Sequence, residues 1–412
     1  MSALPVGRRV AQWRVRRNLT QQQFADRLGK SKSWVDKVER GARRLERLSS
    51  LREVADALRI DVATLLPERA GPPAPAAGVE RIRVALARYH VEPPNRPPDL
   101  ARVRAGLDHA EQTYRHARYP ALRDLLPGLL DTVRRAQAAR PGRAADELLV
   151  SAYGLVALAL VKVGQGESAW LAADRGIAVA LAAADARLAA AATVPLSQAL
   201  RAVGRRRSAM EAAMLAAQRL GPPRRDASAD PPPRSGLSAD VPSRCGLAAD
   251  APLRGTLLLQ AALAAGGLGD RDSALAFLDQ ADAVDHDVPG GAHELPGGAG
   301  FGPASVEAAR VVVEAALGDV ALATARHEQL VAGDRWRWLP VEHRAAHLLD
   351  VARACATAGD MSRAGRALLD AERTAHAEIH DRPVARGVVG VVARAATAPA
   401  DLHRLAATLH VT

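Results

Sequence analysis

Glycines at Gly164, Gly204, Gly269, Gly318 and Gly359 set a ruler along this chain, because alanine follows each of them five residues later, at Ala169, Ala209, Ala274, Ala323 and Ala364. Twelve residues after each glycine come Gly176, Ala216, Ala281, Leu330 and Ala371, and nine after come Ala173, Ala213, Leu278, His327 and Leu368. A glycine ends a helix well, since it adopts the left-handed conformation at no steric cost. The chain can then turn back on itself. Positions five and twelve residues on are seven apart and share one face of the following helix. Small side chains on that face let the neighbouring helix come close. The pattern calls for antiparallel helix pairs laid one after another.

Composition points the same way. Hydrophobic residues make up 48% of the chain and aromatic residues only 3%, so a core must be built from alanine, leucine and valine. Period-two alternation is scarce and no segment reads as a strand. The fold class expected is all-α. The ruler glycines are 40, 65, 49 and 41 residues apart, and the longest gap holds three tandem decapeptides, SADPPPRSGL, SADVPSRCGL and AADAPLRGTL, across residues 228–257. Their prolines and lack of apolar periodicity mark 221–252 as a disordered insertion. A second Gly/Pro-rich loop runs from His286 to Pro303.

Charge is unevenly spread. The net charge is +11, of which residues 1–70 carry +8 and residues 71–412 only +3. A basic head on a nearly neutral body suits a polyanion partner. Arginine dominates the basic residues, yet Lys30, Lys32 and Lys37, three of four lysines, fall within eight residues.

The head reads as five short helices. Val6–Arg17 is amphipathic, with Val10 and Trp13 inward. Thr20 caps a helix Gln21–Leu28, stopped by Gly29, and Ser31 caps Lys32–Arg40, closed by Gly41. Ser49 or Ser50 caps Leu51–Leu58, and Asp61 caps Val62–Leu66. Phe24, Ala25, Leu28, Val35, Val38, Leu51, Val54 and Leu58 fall at helical spacing and form one small core.

The string Leu19-Thr20-Gln21, Phe24-Ala25, Leu28-Gly29, Ser31, Val35 and Glu39-Arg40-Gly41 resembles the Cro/C1-type (XRE) helix-turn-helix family over about residues 6–66. The resemblance implies that the third helix lies in the major groove of double-stranded DNA. By position it makes Lys32, Ser33 and Lys37 base readers. It makes Gln21 a phosphate contact that also braces the reading helix, Arg43 and Arg44 backbone contacts, and Arg14–Glu39 a partly buried ion pair. Trp34 stands where a small polar residue is common. It either stacks on sugar or a thymine methyl, or packs on Arg43.

The glycine ruler resembles that of tetratricopeptide repeats, whose helical hairpins stack into a superhelix with a concave binding surface. The match rests on the second helix of each hairpin. The domain organisation expected is residues 1–70 as a five-helix helix-turn-helix domain, 71–98 as a Pro-rich linker with a short helix, and 99–412 as a tetratricopeptide-like superhelix. The whole resembles actinobacterial regulators with an XRE head and such a body, and peptide-pheromone receptors of similar build. Those receptors commonly clamp peptides with asparagines, whereas this chain has only Asn18 and Asn95.

Trp170, Asp174 and Arg175 lie at i, i+4 and i+5 of one helix and are the candidate effector site, unless Trp170 only fills space between alanines. No phosphate-binding loop, dinucleotide fingerprint, HExxH, paired CxxC or nucleophile elbow occurs, so neither an enzyme nor a cofactor is expected. Loop residues His286, Asp287, His293 and Glu294 have no familiar metal spacing, and Cys245 and Cys355 cannot make a disulfide framework. The N-terminal stretch lacks an apolar signal core, and no uninterrupted apolar run reaches membrane-spanning length. The expected protein is a soluble cytoplasmic DNA-binding transcriptional regulator and a homodimer, its body binding a peptide, small-molecule or protein effector. A protein-interaction scaffold, and a phage- or plasmid-type repressor or antitoxin, are the alternatives.

Overall fold

A computed structural model describes residues 6–17, 19–43, 45, 48–58, 74–92, 94–220, 244–286 and 300–411. The chain forms two compact units, Met1–Ala77 and Gly78–Thr412. Among the described residues both are built from helices, with no β-strand.

The first unit holds α1 (Val6–Arg16), α2 (Gln21–Leu28), α3 (Lys32–Glu39) and α4 (Leu48–Leu58). Thr20 and Gln23 cap α2 reciprocally: the Gln23 amide donates to Thr20 Oγ1 at 3.2 Å, and the Thr20 amide donates to Gln23 Oε1 at 2.9 Å. Gly29 ends α2 in the left-handed region at φ 62°. Ser31 Oγ then accepts the Trp34 amide and opens α3. Val10, Phe24, Ala25, Val35, Val54, Ala55 and Leu58 form the core. Gly7 lets α1 lie against the end of α3, because a side chain there would collide with the Val38 carbonyl. One cap differs from expectation. Ser49 and Ser50 lie inside α4, which starts at Leu48; first-turn amides need no intrahelical partner, so polar residues are tolerated there. The fifth helix expected at Val62–Leu66 lies outside the described residues.

The second unit takes in α5 (Ala74–Ala87) from Gly78 onward, α6 (Leu100–Arg115) and α7 (Tyr119–Ala139), then α8 (Arg143–Lys162) and α9 (Gly166–Ala182). It continues with α10 (Ala186–Ala202), α11 (Arg206–Arg219), α12 (Arg244–Leu268) and α13 (Arg271–His286). After these come α14 (Pro303–Ala316), α15 (Val320–Ala332), a 3-10 turn at Asp334–Trp338, α16 (Val341–Thr357) and α17 (Met361–Thr374). The last three helices are α18 (His376–His380), α19 (Pro383–Ala393) and α20 (Ala400–Leu409).

Every ruler glycine sits at positive φ, from 72° at Gly164 to 95° at Gly318. At each one the next residue's amide reaches the carbonyl five residues back, as in Gln165 to Leu160 at 2.9 Å and Asp360 to Cys355 at 2.9 Å. The bond satisfies carbonyls that the helix end leaves open. The alanines five residues on are fully buried or nearly so, at 0% to 2% exposure. The same left-handed turn also occurs at Ala117 (φ 54°) and Ala184 (φ 52°), where the ruler has no mark because the residue is not glycine.

Two boundaries differ from the sequence reading. The helix placed within a linker is part of the body: Val79, Ile82, Ala85 and Leu86 of α5 are buried in its core, and α5 starts at Ala74, within the supposed Pro/Ala linker. The insertion expected to run to Pro252 is helical from Arg244. In the third decapeptide copy Leu253 and Leu257 fall four apart, so one helix face carries both into the core. Residues 221–243 lie outside the described part. The Gly/Pro-rich loop ends where expected: Phe301 is 1% exposed and packs where Gly255 leaves room on α12, and Gly302-Pro303 starts α14.

The body also joins its own ends. A stack of helical repeats ordinarily contacts only sequence neighbours. Here Lys162 on α8 pairs with Glu342 on α16 and, at 2.7 Å, with Glu378 on α18. Tyr119 donates to Glu378, Tyr114 reaches Glu342 at 3.4 Å, Arg382 pairs with Glu378 at 2.6 Å and Arg123 with Asp381 at 3.4 Å. Burial opposes ionisation of Glu378, but Lys162 and Arg382 outweigh it and pull its pKa down to about 2. Burial and the two carboxylates push both tyrosines well above their ordinary value. Helix α8 has the length and mean hydropathy (1.7) to cross a bilayer, but 67% of that stretch is buried inside the body, as befits a core helix.

Candidate nucleic-acid interface and effector groove

The cap at Ser31 and the buried Val35 and Val38 fix which face of α3 looks outward. Lys32, Ser33 and Lys37 are all exposed, and no hydrogen bond or ion pair among the described residues engages their side chains. Lys30, just before the helix, is exposed as well.

Behind that face lies a buried clamp. Arg14 grips Glu39 with two bonds, Nε to Oε1 at 2.6 Å and Nη2 to Oε2 at 3.1 Å, while Nη1 donates to the Leu19 carbonyl at 2.7 Å. Gln21 Nε2 donates to Glu39 Oε2 at 2.9 Å. One carboxylate thus ties α1, the start of α2 and the end of α3 together. The Gln21 amide is directed inward to this clamp. The Arg43 guanidinium lies 5.9 Å over the Trp34 ring, and its backbone amide donates to the Lys37 carbonyl at 2.9 Å. Trp34 packs within the unit, with Arg43 beside it. Arg44 lies outside the described residues.

Two of the three residues singled out in the body are engaged by neighbouring side chains or backbone. The Arg205 guanidinium covers Trp170 at 4.7 Å. Arg175 donates to the Leu86 carbonyl at the end of α5 and lies 4.6 Å over Tyr89. Asp174 is simply exposed. Trp170 and Arg175 of α9 are thus both in contact with neighbouring elements.

A groove in the body lies on α6, α8, α10 and α12. It encloses about 390 Å³. Leu155, Leu188, Val194 and Leu253 give it apolar walls, and Ser151, Gln198 and Thr256 offer uncharged polar groups. Its charges are cross-linked: Arg143 pairs with Glu147 and with Asp185, both at 3.1 Å, and Arg104 approaches Glu147 at 3.9 Å. Its lining is thus divided between apolar walls and a dense set of polar and charged groups, and a concave site with convergent polar groups can take a ligand. Apart from α6, these are the first helices of the glycine-marked pairs, the ones the ruler does not mark. A signal was present: Arg104, Asp108, Glu111 and Arg115 follow 4-3-4 spacing, a polar stripe down one face of α6.

Residues 5–66 match a family described as a helix-turn-helix domain. No curated protein sequence matches the chain. Among solved structures it is similar to aspartyl phosphate phosphatase F from Bacillus subtilis, at 11% identity and a TM-score of 0.44, over 91% of this chain and 96% of that one. It is similar to PlcR from Bacillus thuringiensis, solved with the peptide PapR7 and DNA, at 12% identity and a TM-score of 0.30, over 68% and 94%. The apo form of the competence regulator ComR from Streptococcus vestibularis follows at 12% identity and a TM-score of 0.27, over 86% and 97%.

Proposed function

We propose that this chain is a sequence-specific DNA-binding transcriptional regulator of the cytoplasm, Cro/C1-like at its N-terminus. The observation that carries the reading is the bare outer face of α3: Lys32, Ser33 and Lys37 exposed and unengaged, within residues that match a helix-turn-helix domain. Two cations without partners among the described residues would attract phosphate and base edges, and the Arg14–Glu39–Gln21 clamp holds the helix that presents them. Arg43, and Arg44 with it, would hold the DNA backbone. The body would serve dimerisation and capture an effector, in the 390 Å³ groove rather than at Trp170.

Selection of bound sites from genomic DNA, followed by titration of the recovered site at several salt concentrations, tests this. The reading expects one enriched sequence and affinity that falls steeply with salt. Uniform binding to all duplexes, or none, would reject it. Sedimentation with and without that site checks the homodimer.

A further inference from the structure

We propose that Glu372, His376 and His380 form a binding site for a divalent transition-metal ion of the zinc type. On one continuous helix, residues eight apart would be separated by about 12 Å along the axis. Here the helix breaks at Ala375 (φ −153°, ψ 98°), between α17 and α18. The break folds the three side chains together, and each offers a ligand atom within 4.8 Å of the others. His376 Nδ1 lies 3.0 Å from Glu372 Oε1, and His380 Nε2 lies 3.8 Å from the same oxygen. Tetrahedral zinc with ligands at about 2.0–2.2 Å sets its ligand atoms about 3.3 Å apart, between those two distances.

A further observation points to an ion. His380 Nε2 is buried and has no hydrogen-bond partner. A proton between His376 and Glu372 would leave that nitrogen unsatisfied, whereas a cation seated among the three would satisfy all of them. A cavity of about 390 Å³ adjoins the cluster, bordered by Asp401, Leu405 and Thr408, with space for water to complete the coordination. The cations on its rim are already paired, Arg373 with Asp370 and Arg404 with Asp401. Two imidazoles and one carboxylate suit zinc, cobalt or nickel, and not calcium or magnesium, which take oxygen ligands. The site is independent of the DNA-binding reading.

The test is Zn²⁺ titration of the full chain against a chromophoric chelator, with Co²⁺ absorption as a second readout. The expected result is micromolar or tighter binding of one ion per chain and a Co²⁺ spectrum of low coordination number with imidazole ligands. His376→Ala, His380→Ala and Glu372→Gln should each weaken Zn²⁺ binding on the order of tenfold or more, since even loss of a residue that only orients a ligand costs about that much. Helicity by circular dichroism identifies any variant that fails to fold. In that event the wild-type Co²⁺ spectrum decides: no imidazole ligation overturns the proposal. Binding only at millimolar Zn²⁺, or unchanged in a folded His376→Ala/His380→Ala double variant, overturns it equally.

Discussion

The outer face of α3 and the buried junction of the body both gather charge, and they handle it in opposite ways. Lysine marks both places in a chain that otherwise prefers arginine: Lys30, Lys32 and Lys37 at the first, Lys162 at the second. At and just before α3 the ammonium groups are exposed and have no partner among the described residues. At the junction Lys162 is 6% exposed and held between Glu342 and Glu378, with Arg382 and Arg123 balanced by Glu378 and Asp381. Solvated cations cost little to keep and stay available to a polyanion. Buried ones must be cancelled inside the fold, or the fold loses more by desolvation than it gains. The difference separates two kinds of evidence. Unpaired charge on a surface speaks of a partner, and paired charge in a core speaks of architecture.

The largest effect should come from the junction. Lys162→Ala leaves Glu342 and Glu378 without their shared cation, and such a loss costs about 3–5 kcal/mol. Denaturant unfolding measures it, and a loss under about 1 kcal/mol would mean that water screens the cluster and the contrast with α3 is void.

Acid should act on the same junction. The folded pKa of Glu378, about 2, lies below the ordinary value of 4.5. Its contribution is therefore complete above about pH 4.5 and fades as pH falls towards 2. Thermal melts across that interval should show the wild type losing stability faster than Glu378→Gln. Parallel curves would show that Glu378 is not the carboxylate held by Lys162.

On the head the expected changes are in binding and not in folding. Lys32→Ala should cost about 1–3 kcal/mol of affinity and relax preference at one base position, with little change in melting temperature. Equal loss on every single-base variant of the site would make Lys32 a phosphate contact.

The smallest effect is expected of Arg43→Ala. It should weaken all sequences alike and lower the slope of log affinity against log salt by about one phosphate's worth. Its loss also uncovers Trp34, so fluorescence of that ring tests the packing separately.

Much of the fold could be read locally. Thr20, Gly29 and Ser31 cap and stop helices through bonds to residues within a few positions, and a capping pattern is visible wherever it occurs. The glycine ruler is legible for the same reason: a positive φ at the turn and a small residue five on are both properties of one hairpin. The turns at Ala117 and Ala184 escaped because alanine carries no sign of the left-handed conformation it adopts there. The groove escaped because an exposed stripe on one helix becomes a cavity wall only when other helices face it. The contact at Trp170 was illegible for the same reason, since Arg205, which lies over its ring, comes from the turn before the next helix but one.

What the sequence by itself determined is the set of helical hairpins, their turns and the outward basic face of α3, each specified by residues close together in the chain. What the tertiary structure alone decided is how distant helices meet. Tyr119 and Glu378 are 259 residues apart and Lys162 and Glu378 are 216 apart, so neither pairing has a spacing that could advertise it. The third decapeptide copy folds into α12 for a similar reason: its proline, Pro252, argues for a loop, and only the core that receives Leu253 and Leu257 outweighs it. Local preferences amount to fractions of a kcal/mol per residue, whereas burying a leucine contributes about 1.5–3 kcal/mol, and that burial exists only once the chain has been brought together.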